Sequence, residues 1–241
     1  MKLCLIALLS LCAVALAERP GWNFQGGFRG PFQGKIVTNE PYSGVGVTTS
    51  KRTLSDGNTI DEASCVKLYR DSSSRTRREE TRKSSTCSAT PETILINDPV
   101  AGVEYAINAR NNTYRQFTIK APPAGAAPMA GKHPANTNEV QTSLGTGPIP
   151  GTSLSAEGTQ TVTTIPAGRF GNAQPITITS IRWYSPDLQI VVKSSRTDPR
   201  NGAVTYQLTN VSTAEPAESL FQLPSGLTLQ QGTSARGRRA P

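Results

Sequence analysis

The chain has very little of what catalysis usually needs. Of its 241 residues only one is histidine, His133, and it sits in a stretch of Pro, Ala and Gly. General acid–base work needs a group held within hydrogen-bond reach of its proton, and a histidine in such a stretch is poorly held. There is no HExxH, no Cys/His metal spacing, no phosphate loop and no GxSxG elbow. Gly44-Val45-Gly46 and Gly145-Thr146-Gly147 are bare GxG fragments with no helix pattern after them, so they do not read as phosphate cradles. Aromatic residues make up 6% of the chain, and none interleave with its basic cluster, which, with the N-terminal export signal, speaks against nucleic acid as a partner. No metal and no cofactor is implied.

Long apolar runs are also missing after the first turn of the sequence. Lys2, the apolar run from Leu3 to Leu16, and Ala15-Leu16-Ala17 form a leader pattern with a small-x-small cleavage site. The run is too short to span a membrane in the usual way. Residues 1–17 therefore read as a signal peptide, and the mature chain as exported: periplasmic or extracellular, with an outer-membrane association as the narrower expectation. Cys4 and Cys12 leave with the leader. Cys65 and Cys87 remain, and two readings stay open for them: a disulfide, suited to an exported chain, or two thiols that never meet. A hairpin turning at Asp71 to Ser74 would set Cys65 opposite Glu80, so a bridge needs the chain to bend back after Lys83. The formal net charge is +8, one unit lower without Lys2, which favours anionic partners without choosing among them.

What is present is strand. Ile176 to Tyr184, Leu188 to Lys193 and Ala203 to Val211 are rich in β-branched and aromatic residues. Ser185-Pro186-Asp187 and Asp198-Pro199-Arg200-Asn201-Gly202 separate them as turns. Leu188, Ile190 and Val192 share one side, as do Val204, Tyr206 and Leu208. The other side carries Gln189, Lys193 and Ser195, then Thr205, Gln207 and Thr209. That period of two describes an antiparallel meander with one face on a core.

An earlier series has the same character. Lys35 to Leu54 and Thr59 to Arg70 flank Ser55-Asp56-Gly57-Asn58, a tight hairpin signal, and Gly44 and Gly46 point to a bend or bulge. Arg75 to Thr86, Glu92 to Ile96, Gly102 to Ile107 and Thr113 to Ile119 follow. Strands resume near Ser143-Leu144 and at Thr152 to Ile165. Glu215 to Leu220 suggests a single helical turn. The expected architecture is mainly β: one large curved antiparallel sheet, half-barrel-like, with little helix beyond the signal peptide. Its expected limits are a flexible Gly/Phe-rich segment at 18–34, a β domain at 35–224 with a Pro/Ala-rich loop at 120–138, and a disordered basic tail at 225–241.

Two groups of side chains invite a chemical reading. Asp98, Glu104, Glu157 and Asp187 are the acids a carboxylate-dependent hydrolase would draw on, but Asp98 and Asp187 stand beside prolines, where a turn accounts for them. The second group is Arg70, Arg75, Arg77, Arg78, Arg82 and Lys83. It reads either as a solvated edge hairpin whose charges block aggregation, or as a rim that grips an anionic membrane surface or envelope component.

Several stretches together resemble a family of uncharacterised secreted bacterial proteins. They are Lys67 to Asp71 with Arg75 to Glu80, Ile96 to Tyr105, Ser143 to Thr146, Ala156 to Thr159, Ile165 to Gly168, Arg182 to Leu188, and Ser194 to Pro224 ending Phe221-Gln222-Leu223-Pro224. More distantly, the Tyr69-Arg70-Asp71 turn followed by arginine, and the late meander ending in Phe-x-x-Pro, are similar to the LolA/LolB-like lipoprotein-carrier superfamily. That resemblance implies a half-barrel whose concave face holds acyl chains, hence a non-enzymatic lipid or lipoprotein partner. The chain departs from it in lacking the amphipathic helices that fill such a half-barrel.

Overall fold

The computed structural model describes residues 36–119 and 138–230. The leader, the segment 18–34, most of the Pro/Ala-rich loop with His133, and residues 231–241 lie outside the described residues. The first limb runs β1 (Tyr42–Thr53), β2 (Thr59–Arg70), β3 (Thr76–Arg82), β4 (Thr93–Asp98), β5 (Val103–Asn108) and β6 (Thr113–Thr118). The second runs β7 (Asn138–Pro148), β8 (Ser155–Ile165), β9 (Ile176–Ser185), β10 (Ile190–Asp198) and β11 (Gly202–Ser212). A one-turn 3-10 helix, Glu218–Phe221, and the two-residue β12, Thr228–Leu229, complete it.

All strands join one open, curved sheet in the order β12-β6-β5-β4-β3-β2-β1-β11-β10-β9-β8-β7. Each limb is a meander closed by local turns. At the first hairpin Gly57 takes φ +85 and its N–H meets the Leu54 carbonyl at 3.0 Å. At Asp98 and at Asp198 the carboxylate accepts backbone N–H groups of the turn it opens. The limbs meet through β1 against β11, where Gly46 faces Leu208 and Thr48 faces Tyr206.

That junction explains the two glycines of β1. A Cβ on Gly46 would sit 2.7 Å from a ring carbon of Tyr206 and 2.9 Å from a methyl of Val66. The missing side chain lets the Tyr206 ring lie across the strand. Next to Gly44 the register against β11 slips, between Ser43 and Val45. Around this point lies the main core: Tyr42, Val66, Leu68, Leu188, Ile190, Val192, Tyr206, Leu208 and Val211, with Ile149 from the β7–β8 connection.

A second core, Ile94, Ile96 and Ile107, lies under Leu223 and Leu227 at the other limb. The register shows why there are two. Leu68 is opposite Arg78, which is opposite Leu95, whereas Arg77 is opposite Ile96. Leu68 and Ile96 therefore lie on opposite faces of the sheet. The apolar face changes side across β3, and β3 is the polar strand between the two cores.

Three local expectations change. β3 is not an edge: it lies between β2 and β4. Leu188 and Gln189 belong to the turn before β10, because Gln189 takes φ +54 and the Leu188 N–H is bound by the Ser185 hydroxyl at 3.3 Å. The Gln189 Oε1 atom is buried rather than on the wet side. Within the stretch expected as tail from residue 225, β12 pairs parallel with β6, Thr228 opposite Thr113, so ordered chain continues to residue 230.

Candidate functional site

The arginine-rich hairpin is spent mostly on the protein itself. Arg70 is 2% exposed. Its Nε and Nη2 donate to the Glu40 carbonyl at 2.9 and 2.7 Å, Nη2 also donates to the Leu188 carbonyl at 2.7 Å, and the guanidinium lies 4.8 Å from the Tyr42 ring centre. Burial is the main influence on its pKa and lowers it, opposed by the neighbouring Tyr42 and Glu40. Burial likewise pushes the Tyr42 hydroxyl well above the usual tyrosine value. Arg75 donates to the buried Asp71 carboxylate, reaches Glu218 at 3.6 Å and covers the Phe221 ring. The bond to Asp71 is the main cause that raises the Arg75 pKa.

Along β3 the pairs run i to i+2, since those side chains share a face. Arg77 bonds Glu79 at 2.7 Å and donates to the Leu220 carbonyl at 3.0 Å, and Arg78 bonds Glu80 at 2.6 Å. The Arg77 pair lies toward the second core and the Arg78 pair toward the first. A strand flanked by two oily patches on opposite faces has to neutralise its own charges.

Arg82 and Lys83 are exposed and lie apart from the other four. Lys83 takes φ +54, the chain turns back, and the Ser84 N–H reaches the Ala63 carbonyl at 3.1 Å. This return brings Cys87 to Cys65, whose sulfurs are 1.97 Å apart in a disulfide. Cys65 faces Thr81, one residue beyond the Glu80 expected, because the hairpin closes on Arg70 opposite Thr76. The looped-back segment forms a shallow cavity of about 490 Å³ lined by Arg82, Lys83, Pro91, Glu92 and Arg110. Arg110 bonds Glu92 at 2.8 Å. The doublet Arg82-Lys83 was visible in the sequence, but Arg110 comes from the β5–β6 turn and no spacing pointed to it.

A different surface lies on the far limb. Across β7, β8 and β9, Val140 faces Val162, Gln160 faces Ile181 and Gly158 faces Trp183, so these side chains share a face. Trp183 packs close against glycine backbone: a Cβ on Gly158 would be 2.8 Å from its ring and 2.9 Å from Leu144 Cβ. Val140 is 61% exposed and Leu144 40%, while Val162, Ile181 and Trp183 are half-buried. The described helical turn packs at the opposite limb, beside β3 and β4.

The acids do not converge on a shared cleft. Asp98 caps its own turn, Glu104 faces Asn97 on β5, Glu157 is exposed on β8 and Asp187 is exposed in a turn. Asp198 is buried at the β10–β11 turn; burial alone would raise its pKa, but bonds from Arg200 outweigh this and hold it low. Among the described residues no group of three or more His, Cys, Asp or Glu side chains is placed to hold a metal, and no helix is long and apolar enough to cross a membrane.

The fold is that of an all-β protein built on one open, curved half-barrel sheet. No family model and no curated protein matches the chain. Among solved structures it is similar to MucB, at 12% identity and TM-score 0.42, covering 80% of this chain and 60% of that one. It is also similar to a DUF1329 family protein from Desulfovibrio piger, at 8% identity and TM-score 0.31, covering 78% and 91%. A LolA superfamily protein from Nitrosomonas europaea matches at 6% identity and TM-score 0.32, covering 78% and 92%. Likenesses this loose fix no function.

Proposed function

We propose that this is a non-enzymatic, exported envelope protein that holds an acyl chain, or another hydrophobic ligand, against the β7–β9 limb of its curved sheet. The observation that carries the reading is the apolar patch of Val140, Leu144, Val162, Ile181 and Trp183, over which the described residues place no helix. The leader pattern and the sequence resemblance to lipoprotein carriers support it. Each buried methylene contributes about 0.8 kcal/mol, so a chain of about eight would offset much of the cost of association.

Trp183 reports on this directly. In the mature chain carrying Trp22→Phe, titration with a long-chain fatty acid or lysophospholipid should shift the Trp183 emission to the blue. Ile181→Glu should weaken the apparent affinity at least tenfold, since it places a charge on the apolar contact. No shift, together with no lipid in organic extracts of protein purified from its native envelope, would reject the proposal.

A second reading has an observation of its own: Arg82, Lys83 and Arg110 around the cavity beside the disulfide. It assigns that end of the molecule to an anionic envelope component. Replacing these three by Ser should remove binding to phosphatidylglycerol-containing vesicles at low salt, and added salt should weaken wild-type binding through screening. Arg75, Arg77 and Arg78 are poor choices for the same test, because they are largely buried in bonds within the protein, whereas Arg110 stays exposed beside its Glu92 partner. Equal vesicle binding by wild type and triple variant would end this reading.

A further inference from the structure

Among the described residues β7 is an edge strand, and it is long, exposed and nearly uncharged. Over Asn138–Pro148 every residue but Gly147 is exposed, and Glu139 is the one charged side chain. Sheet edges present unpaired N–H and C=O groups, and natural edges are usually kept short, charged, bulged or broken by proline. The opposite edge follows that rule: β12 is two residues long, and the β6 it borders carries Arg115. β7 is guarded only in its second half, by a register slip between Ser143 and Gly145 and by Pro148. Before the slip, Asn138 to Thr142 pair in regular order with Thr164 to Gln160, and their outer ladder meets no described strand.

We propose that this half of β7 pairs with the same segment of a second copy, antiparallel, about a two-fold axis normal to the sheet at Val140. An isologous contact must satisfy itself, residue i meeting j and j meeting i. About Val140 it does. Val140, 61% exposed in the single chain, meets Val140 of the second copy. Glu139 meets Gln141, and Asn138 meets Thr142. Within one chain Gln141 already donates to Glu139 at 3.0 Å, so this amide–carboxylate pairing is chemically suited to the cross-strand position. Charge favours the same edge. A chain of formal charge +8 repels its own copies over most of its surface, and this segment carries one negative charge and no positive one. Five ladder residues form a small contact, so the dimer is weak, with dissociation on the order of 100 micromolar. The pairing runs through the backbone edge of β7 and does not require the ligand proposed above, although Val140 belongs to both surfaces.

The test uses the full mature chain. Wild type should show a concentration-dependent dimer in sedimentation, and Val140→Lys, a change at an exposed position, should remove it while leaving circular dichroism unchanged. Val140→Cys should cross-link to itself on mild oxidation, because residues opposite each other on antiparallel strands stand about 4.5–5.5 Å apart at Cα, within disulfide reach. Thr142→Cys should not, since in this register it faces Asn138. A wild type that stays monomeric into the millimolar range would overturn the proposal. So would a dimer that survives Val140→Lys, or equal cross-linking at both cysteine positions.

Discussion

Arg70→Ala should destabilise the domain by about 3–5 kcal/mol, the sum expected from two carbonyls that lose their charged donor and a void left beside an aromatic ring. The guanidinium donates to both the Glu40 and the Leu188 carbonyls, and it closes one end of the main core over Tyr42. Losing it strands one buried and one part-buried acceptor and leaves a void beside the ring. Arg70→Lys should recover less than half of the loss. A single ammonium cannot reproduce a planar fork that bridges two carbonyls lying 30 and 118 residues from it in sequence. Urea unfolding of the two variants measures this, with Arg82→Ala, an exposed arginine, expected to change stability by no more than about 0.5 kcal/mol. A loss below about 1 kcal/mol for Arg70→Ala would mean the clamp contributes little to the fold.

Removing the disulfide should have the next largest effect. Cys87→Ser opens a link between residues 22 apart in sequence, and a loop of that size corresponds to about 3 kcal/mol in the chain-entropy view. For a domain of this length that is roughly 6–12 °C in Tm. The effect should be concentrated where the link acts. Cys65 lies in the interior of β2, and Cys87 lies on the segment that returns after Lys83. Hydrogen exchange should therefore rise first in residues 83–92 and in β3, while the β9–β11 meander keeps its protection. Uniform loss of protection, or a Tm unchanged by the substitution, would contradict this account.

In the arginine hairpin, local pattern sets which side chains share a face but not what those faces meet. Alternation along Arg75 to Thr86 correctly puts Arg75 and Arg77 with Glu79, and Arg78 with Glu80 and Arg82. Whether such a strand borders solvent or lies between two others depends on which later strand docks beside it. Here that strand is β4, and its apolar side, Ile94 and Ile96, faces away from Leu68. The candidate rim was thereby divided, with four arginines turned to internal partners and Arg82 and Lys83 left with Arg110. In the same way Trp183 could be read as strand material, but the patch it shares with Val140 and Leu144 depends on three strands meeting in one register.

From the sequence alone came most of the elements and their turns, though not β12 or the place of Leu188 and Gln189. Side-chain period and turn chemistry act over a few residues, so Asp56-Gly57, Ser185-Pro186 and Asp198 to Gly202 mark their hairpins wherever the strands end up. Tertiary structure alone decided that β1 docks on β11, that the oily face changes sides across β3, that Cys87 reaches Cys65, and that β7 is the last strand of the sheet among the described residues. Those outcomes rest on contacts between residues far apart in the chain, where twist, register slips and volume choose among pairings that local pattern leaves equivalent.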